Sequence, residues 1–120
     1  MVNHTRATLL AERASHATHP WSRMRGLLGT TALARGEGIV IEPCHQVHTL
    51  LMRYPIDVVF TAHDGRVVAL VEALGPWRVT WPHPSARRAV ELPVGTVAAT
   101  RTARGDLLLL EPLEAPCSSS

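Results

Sequence analysis

Apolar positions along the chain follow two rhythms, and the change between them falls near residue 38. In the first third, Trp21, Met24, Leu27 and Leu28, extended by Leu33, recur at spacings of three and four, the period of one helix face. Ser15, Thr18 and Pro20 precede them with capping and first-turn chemistry, so the pattern predicts one short N-terminal helix. Gly26 and Gly29 weaken it by about 1 kcal/mol each relative to alanine, and Gly36 with Gly38 closes the segment. Ahead of the helix, residues 5–13 alternate weakly and predict a first strand.

From Ile39 onward the apolar residues come in short runs divided by turn formers, which is how a small sheet or barrel reads. The runs are 39–41, 47–52, 58–62, 67–71, 79–81, 89–92, 97–100 and 107–110. His63-Asp64-Gly65-Arg66 joins two Val-rich runs, and Asp-Gly suits the positive backbone angles of a tight hairpin. Arg104-Gly105-Asp106 predicts a second turn. Pro76, Pro82 and Pro84 make residues 75–84 a long edge connection or irregular loop, and no internal repeat is present.

Length and composition then narrow the class. A chain of 120 residues, 46% apolar and 18% charged, builds one ordered core and no second one. The expected domain is 1–113, with 114–120 as a flexible tail ending Ser118-Ser119-Ser120. Because aromatic residues are only 4%, that core must be aliphatic. The formal charge is +2, but every basic residue is an arginine and they are scattered from Arg6 to Arg104. Nucleic-acid binding calls for a basic stripe or stacking aromatics, so no nucleic-acid partner is expected. His4, Thr5 and Arg6 interrupt the N-terminal stretch where a signal peptide would be apolar, and no run reaches membrane-span length. A cytoplasmic location is the resulting expectation. Cys44 and Cys117, the only cysteines, are too few for a stapled secreted domain. No cofactor is expected.

The stretch from Pro43-Cys44-His45-Gln46-Val47-His48 through Met52-Arg53-Tyr54-Pro55-Ile56-Asp57-Val58-Val59-Phe60 to Asp64-Gly65-Arg66-Val67-Val68 resembles the domain-of-unknown-function family numbered 192, a group of small prokaryotic proteins. Three further pieces match in order: Arg25-Gly26-Leu27-Leu28, Val90-Glu91-Leu92-Pro93 with Gly95, and Gly105-Asp106. The resemblance spans roughly residues 5–112 and implies a mainly β, α+β fold: a small antiparallel β-barrel-like domain with one short helix. It implies no catalytic residues. In the family's commonest pattern an aromatic pair or a tryptophan precedes the methionine. Leu50 and Leu51 stand there instead, which removes an aromatic platform at that point. An association of relatives with tight-adherence pilus assembly adds an accessory role in that process as one alternative.

Several side chains carry candidate chemistry. Cys44, His45, His48 and Met52 are soft-metal ligand types. If 47–52 is a strand, however, His48 and Met52 stand about 13 Å apart on one face, too far to share an ion. Asp57 enters a very apolar strand, where a carboxylate needs backbone donors, such as the 52–55 turn, or an arginine such as Arg53 or Arg25. The functional alternative pairs Asp57 with His48 as a base or ligand-orienting group. Glu91 points away from Val90 and Leu92 by strand alternation, either to solvent or to Arg88 or Arg25. Trp77 and Trp81 form an exposed apolar patch or cap the end of a barrel. The leading expectation is an accessory or binding domain that recognises a small ligand or protein partner through His48, Met52, Arg53, Asp57, Trp77 and Trp81. The alternative is a metal-binding or hydrolytic enzyme using Cys44, His48 and Asp57.

Overall fold

In the computed structural model the described residues are 1–17, 36–42, 54–75, 80 and 82–109. They form eight strands: β1 (Val2–Asn3), β2 (Thr8–Leu9), β3 (Arg13–Ala17), β4 (Glu37–Ile41), β5 (Ile56–Thr61), β6 (Val67–Leu74), β7 (Arg88–Pro93) and β8 (Leu108–Leu109). One helical turn, α1 (Thr96–Thr100), follows β7. Five strands make a sheet in the order β3-β4-β7-β5-β6, and three short ones a second sheet in the order β2-β1-β8. All pairings are antiparallel except β3 with β4, which run parallel with Arg13 opposite Glu37. A parallel neighbour requires a crossover connection, and the residues of that crossover, with the expected N-terminal helix, lie outside the described residues.

The centre of the large sheet, β5 and most of β7, is buried on both faces, and the sequence of β5 shows why. Ile56-Asp57-Val58-Val59-Phe60-Thr61 is buried at every position, the near-continuous apolar run of a strand covered on both sides. Val59 packs with Val40, Val90, Leu92, Val97, Leu108, Leu10 and Met1 in one core cluster. Ile56, Val58 and Phe60 point the other way, into a cluster with Tyr54, Ala86 and Ala89. Burying each large side chain contributes about 1.5–3 kcal/mol. The ring of His83 meets Phe60 with centroids 4.6 Å apart.

Neither sheet closes into a barrel. An isolated antiparallel bridge, Arg66 with Leu107, joins them. It is flanked by Leu108 N–H donating to Gly65 O at 2.9 Å, Val67 N–H to Asp106 O at 2.8 Å and Gly105 N–H to Val67 O at 2.9 Å. The hairpin beside it falls where Asp64-Gly65 predicted, with a different geometry. Gly65 has φ +95 whereas Asp64 is not in the left-handed region, so the loop is an ordinary turn plus a left-handed glycine. The Asp64 carboxylate accepts the Arg66 N–H at 2.9 Å and fixes the turn.

Three expectations need correction. Residues 5–13 are not one strand: a tight turn with Ala7 at φ +57 separates β1 from β2, and β3 begins only at Arg13. Ser15, expected before the helix, lies inside β3. Residues 97–100, expected as a strand from their short apolar run, belong to α1. Of the expected strands, 47–52 lies outside the described residues, as does most of 79–81, and so does the tail 114–120.

Candidate functional site

Asp57 sits where β5 leaves regular pairing. Ile56 opposes Leu74 and Val58 opposes Val71, so Glu72 and Ala73 of β6 together oppose the single Asp57, a β-bulge. Ala73 takes φ +53 there, and its N–H donates to Asp57 Oδ1 at 2.9 Å. The other carboxylate oxygen, Oδ2, accepts the N–H of Gly95 at 3.0 Å and of Val97 at 2.9 Å. Gly95, at φ +95, is the N-cap of α1 and carries no side chain to cap it. A carboxylate from a strand 38 residues away in sequence thus performs the capping that a local Ser, Asp or Asn usually provides. Asp57 is fully buried, and these three amides are its donors among the described residues; Met52 and Arg53 of the expected 52–55 turn lie outside them.

The turn that Asp57 holds forms one wall of an open groove. Residues 93–96 with Ala99 and Thr100 line one side, and residues 9–12 with Gly36 the other, around a volume of ≈ 640 Å³. Thr96 Oγ1 donates to Pro93 O at 2.7 Å and stiffens the turn. Across the groove Thr8 Oγ1 donates to Thr100 O at 3.0 Å, so the N-terminal segment is tied to the end of α1. Glu12 and Arg13 N–H both donate to Gly36 O, at 2.8 and 2.9 Å. On β4, Gly38 approaches Leu92 and Ala11 so closely that a methyl group there would lie 3.0 Å from the leucine. Leu9 and Val94, each 51% exposed, are the large apolar side chains left open to solvent among the described residues, and both line the groove.

Of the site residues expected from sequence, Asp57 alone lies within the described residues. His48, Met52, Arg53, Trp77 and Trp81 lie outside them, as do Cys44, His45 and Arg25. The described residues contain no group of three or more His, Cys, Asp or Glu able to hold a metal ion. Glu91 is fully buried between Ile39 and Val58 on neighbouring strands, which excludes the solvated reading. It does face away from Val90 and Leu92, whose side chains join the opposite cluster. Arg88 pairs with Glu42, Nε to Oε2 at 3.2 Å. The groove itself is not legible in the sequence: Leu9 adjoins the buried Leu10 and Ala11, Val94 stands alone between Pro93 and Gly95, and nothing local distinguishes either from a core position.

A second buried polar cluster closes the small sheet. Asp106 Oδ2 accepts Asn3 Nδ2 at 2.9 Å, Arg6 Nε at 3.0 Å and the Ala103 N–H at 3.0 Å. Burial would raise the Asp106 pKa, but the bonds from Asn3, Arg6 and Ala103, with the Arg6 charge, outweigh it and hold the carboxyl below its ordinary value. Asn3, also buried, donates to Thr102 Oγ1 at 3.1 Å and accepts the Arg6 N–H at 3.0 Å. None of the buried side-chain polar atoms of Asn3, Thr102 and Asp106 is left without a partner, so the cluster is a fastening and not an open site.

Two solved structures share this fold. One is a protein of unknown function from Novosphingobium aromaticivorans DSM 12444, with a TM-score of 0.67 and 22% identity over 78% of this chain and 71% of that one. The other is a proposed transcription regulator from Sinorhizobium meliloti 1021, with a TM-score of 0.68 and 22% identity over 78% of each chain. No curated protein matches the chain. The family model of domain of unknown function 192, described as an uncharacterised ACR, matches residues 1–110, and the chain belongs to that family.

Proposed function

We propose that this chain is an accessory or binding domain acting in the cytoplasm, one that recognises a small ligand or a protein partner and carries out no reaction of its own. The observation that supports it is the groove between residues 9–12 and the 93–100 turn and helix, open to solvent and bordered by the exposed side chains of Leu9 and Val94. Exposed apolar groups gathered in one concavity are a usual mark of a recognition surface. In this reading Asp57 is a positioning residue: both its oxygens are engaged by backbone amides, and it shapes the groove wall without touching a ligand.

His48, Met52, Arg53, Trp77 and Trp81 complete the proposed surface. Ile56 is paired with both Leu74 and Pro93. The chain entering β5, the chain leaving β6 and the 93–96 wall of the groove therefore meet the sheet at the same end. The two sheets are read as parts of one open, barrel-like wrap, joined at the Arg66–Leu107 bridge and turned back at Glu12 and Gly36.

The test compares wild-type, Val94→Asp, Arg53→Ala and Trp77→Ala chains, immobilised, for what each retains from a cell lysate and from a defined metabolite mixture. All four are expected to unfold at similar temperatures, with the variants losing what the wild type holds. If all three variants keep every wild-type interaction, the proposed surface is wrong.

A further inference from the structure

The groove carries more information than its exposed apolar rim. Among its lining residues Glu12 is the one ionisable side chain. Glu12 is exposed and forms no ion pair among the described residues, whereas neighbouring Arg13 is turned to Glu37 at 3.6 Å. The carboxylate lies over Gly36, with Oε1 3.5 Å from where a methyl group on that glycine would stand, so it borders the groove beside the strand β4 entrance. The groove thus sets one acidic side chain, without an ion pair among the described residues, beside the apolar side chains of Leu9, Val94 and Ala99.

Resting on the reading of this domain as a binding module, we infer that the groove accepts a short peptide segment of a partner protein, one that places a Lys or Arg against Glu12 and apolar side chains against Leu9 and Val94. Three features select this occupant. A small apolar ligand is held in an enclosed concavity that covers most of its surface, and this groove is open. A segment of chain can enter and leave such a groove. Charge complementarity selects the basic residue: a Lys or Arg next to Glu12, the one ionisable lining side chain, is favoured. The chain as a whole carries a net charge of +2, so a cationic segment gains no general attraction from it. Selection of a basic residue must come from Glu12.

The probe is a phage-displayed library of random peptides, panned on the full wild-type chain and counter-panned on Val94→Asp. Enriched sequences are then measured as synthetic peptides by fluorescence anisotropy. The expected result is a Lys or Arg flanked by apolar residues. Glu12→Gln is expected to weaken binding by about tenfold, the effect of losing one charge-assisted contact, and Leu9→Asp to abolish it. Glu12→Arg is expected to invert the preference, so that peptides with Asp or Glu replacing the basic residue bind better. Both substituted positions are exposed, so thermal unfolding should match wild type. Peptides that depend on Val94 but lack a basic residue would overturn the charge assignment while leaving the binding module standing. No enrichment over the counter-selection overturns the peptide assignment, and ligands retained equally by wild type and Leu9→Asp overturn the groove itself.

Discussion

At Asp57 one carboxylate satisfies backbone donors from two elements, the bulge of β6 through Ala73 and the N-terminus of α1 through Gly95 and Val97. Val97 is buried, and without Asp57 its N–H would lack this acceptor, where an unsatisfied buried donor costs about 1–3 kcal/mol; the Ala73 and Gly95 amides, on exposed residues, add to this. Asp57→Ala is therefore expected to destabilise the domain by roughly 3 kcal/mol or more, measured by urea unfolding. Asp57→Asn keeps the shape but turns an NH₂ toward at least one N–H donor, and is expected to cost about 1–3 kcal/mol. The Asn variant also separates the roles argued for this residue. If Asp57 positions the groove wall, ligand affinity and stability fall together. A loss of binding with unfolding unchanged would mean that Asp57 touches the ligand directly.

At the scale of elements, α1 and the small sheet depend on contacts distant in sequence, and this sets what the sequence could disclose. Strands β4 to β7 were legible because their apolar runs are long and bounded by Gly, Pro and Asp. The Asp64-Gly65 and Arg104-Gly105 turns were legible because a positive φ calls for glycine, found at Gly65 (+95) and Gly105 (+90). α1 was not: five residues are too few to show a 3.6 period, and its cap comes from Asp57 rather than from its own flank. The sequence around Asp57 shows that it needs donors, but not that amides 16 to 40 residues away, on Ala73, Gly95 and Val97, supply them. The Asp106 cluster joins Asn3 and Arg6 to residues about a hundred positions later, which no local pattern reveals. It also predicts a pH dependence. Because the folded Asp106 pKa is lowered, the unfolded chain binds the proton more readily, so the stabilisation is complete above the ordinary carboxylate range and is lost as pH falls through the folded pKa. Asp106→Asn should be less stable than wild type near neutral pH, with the difference shrinking as urea unfolding is repeated down to about pH 2. A difference constant with pH would show that the charge on Asp106 contributes nothing.

For the molecule as a whole, the join between the sheets is concentrated at Gly65. Its carbonyl accepts the Leu108 N–H at 2.9 Å, and the next two residues make the bridge to Leu107 and the bond to Asp106 O. Its φ of +95 suits glycine alone, and a methyl group there would collide with the Leu108 carbonyl oxygen. Gly65→Ala thus adds backbone strain and forces β8 away, for an expected loss of roughly 2 kcal/mol or more. The distribution of the damage is the sharper readout. β5 stays paired on both sides with β6 and β7, whereas β8 and β1, paired in sequence with β2, lose their link to the large sheet. Native-state hydrogen exchange should therefore accelerate at the amides of β1, β2 and β8 more than at those of β5 and β7. Since residues 9–12 continue directly from β2 into the groove, the same variant should also weaken binding there, with every lining side chain intact. Uniform acceleration across both sheets would instead mean that the two fold as one cooperative unit and that the bridge is no weaker than the rest.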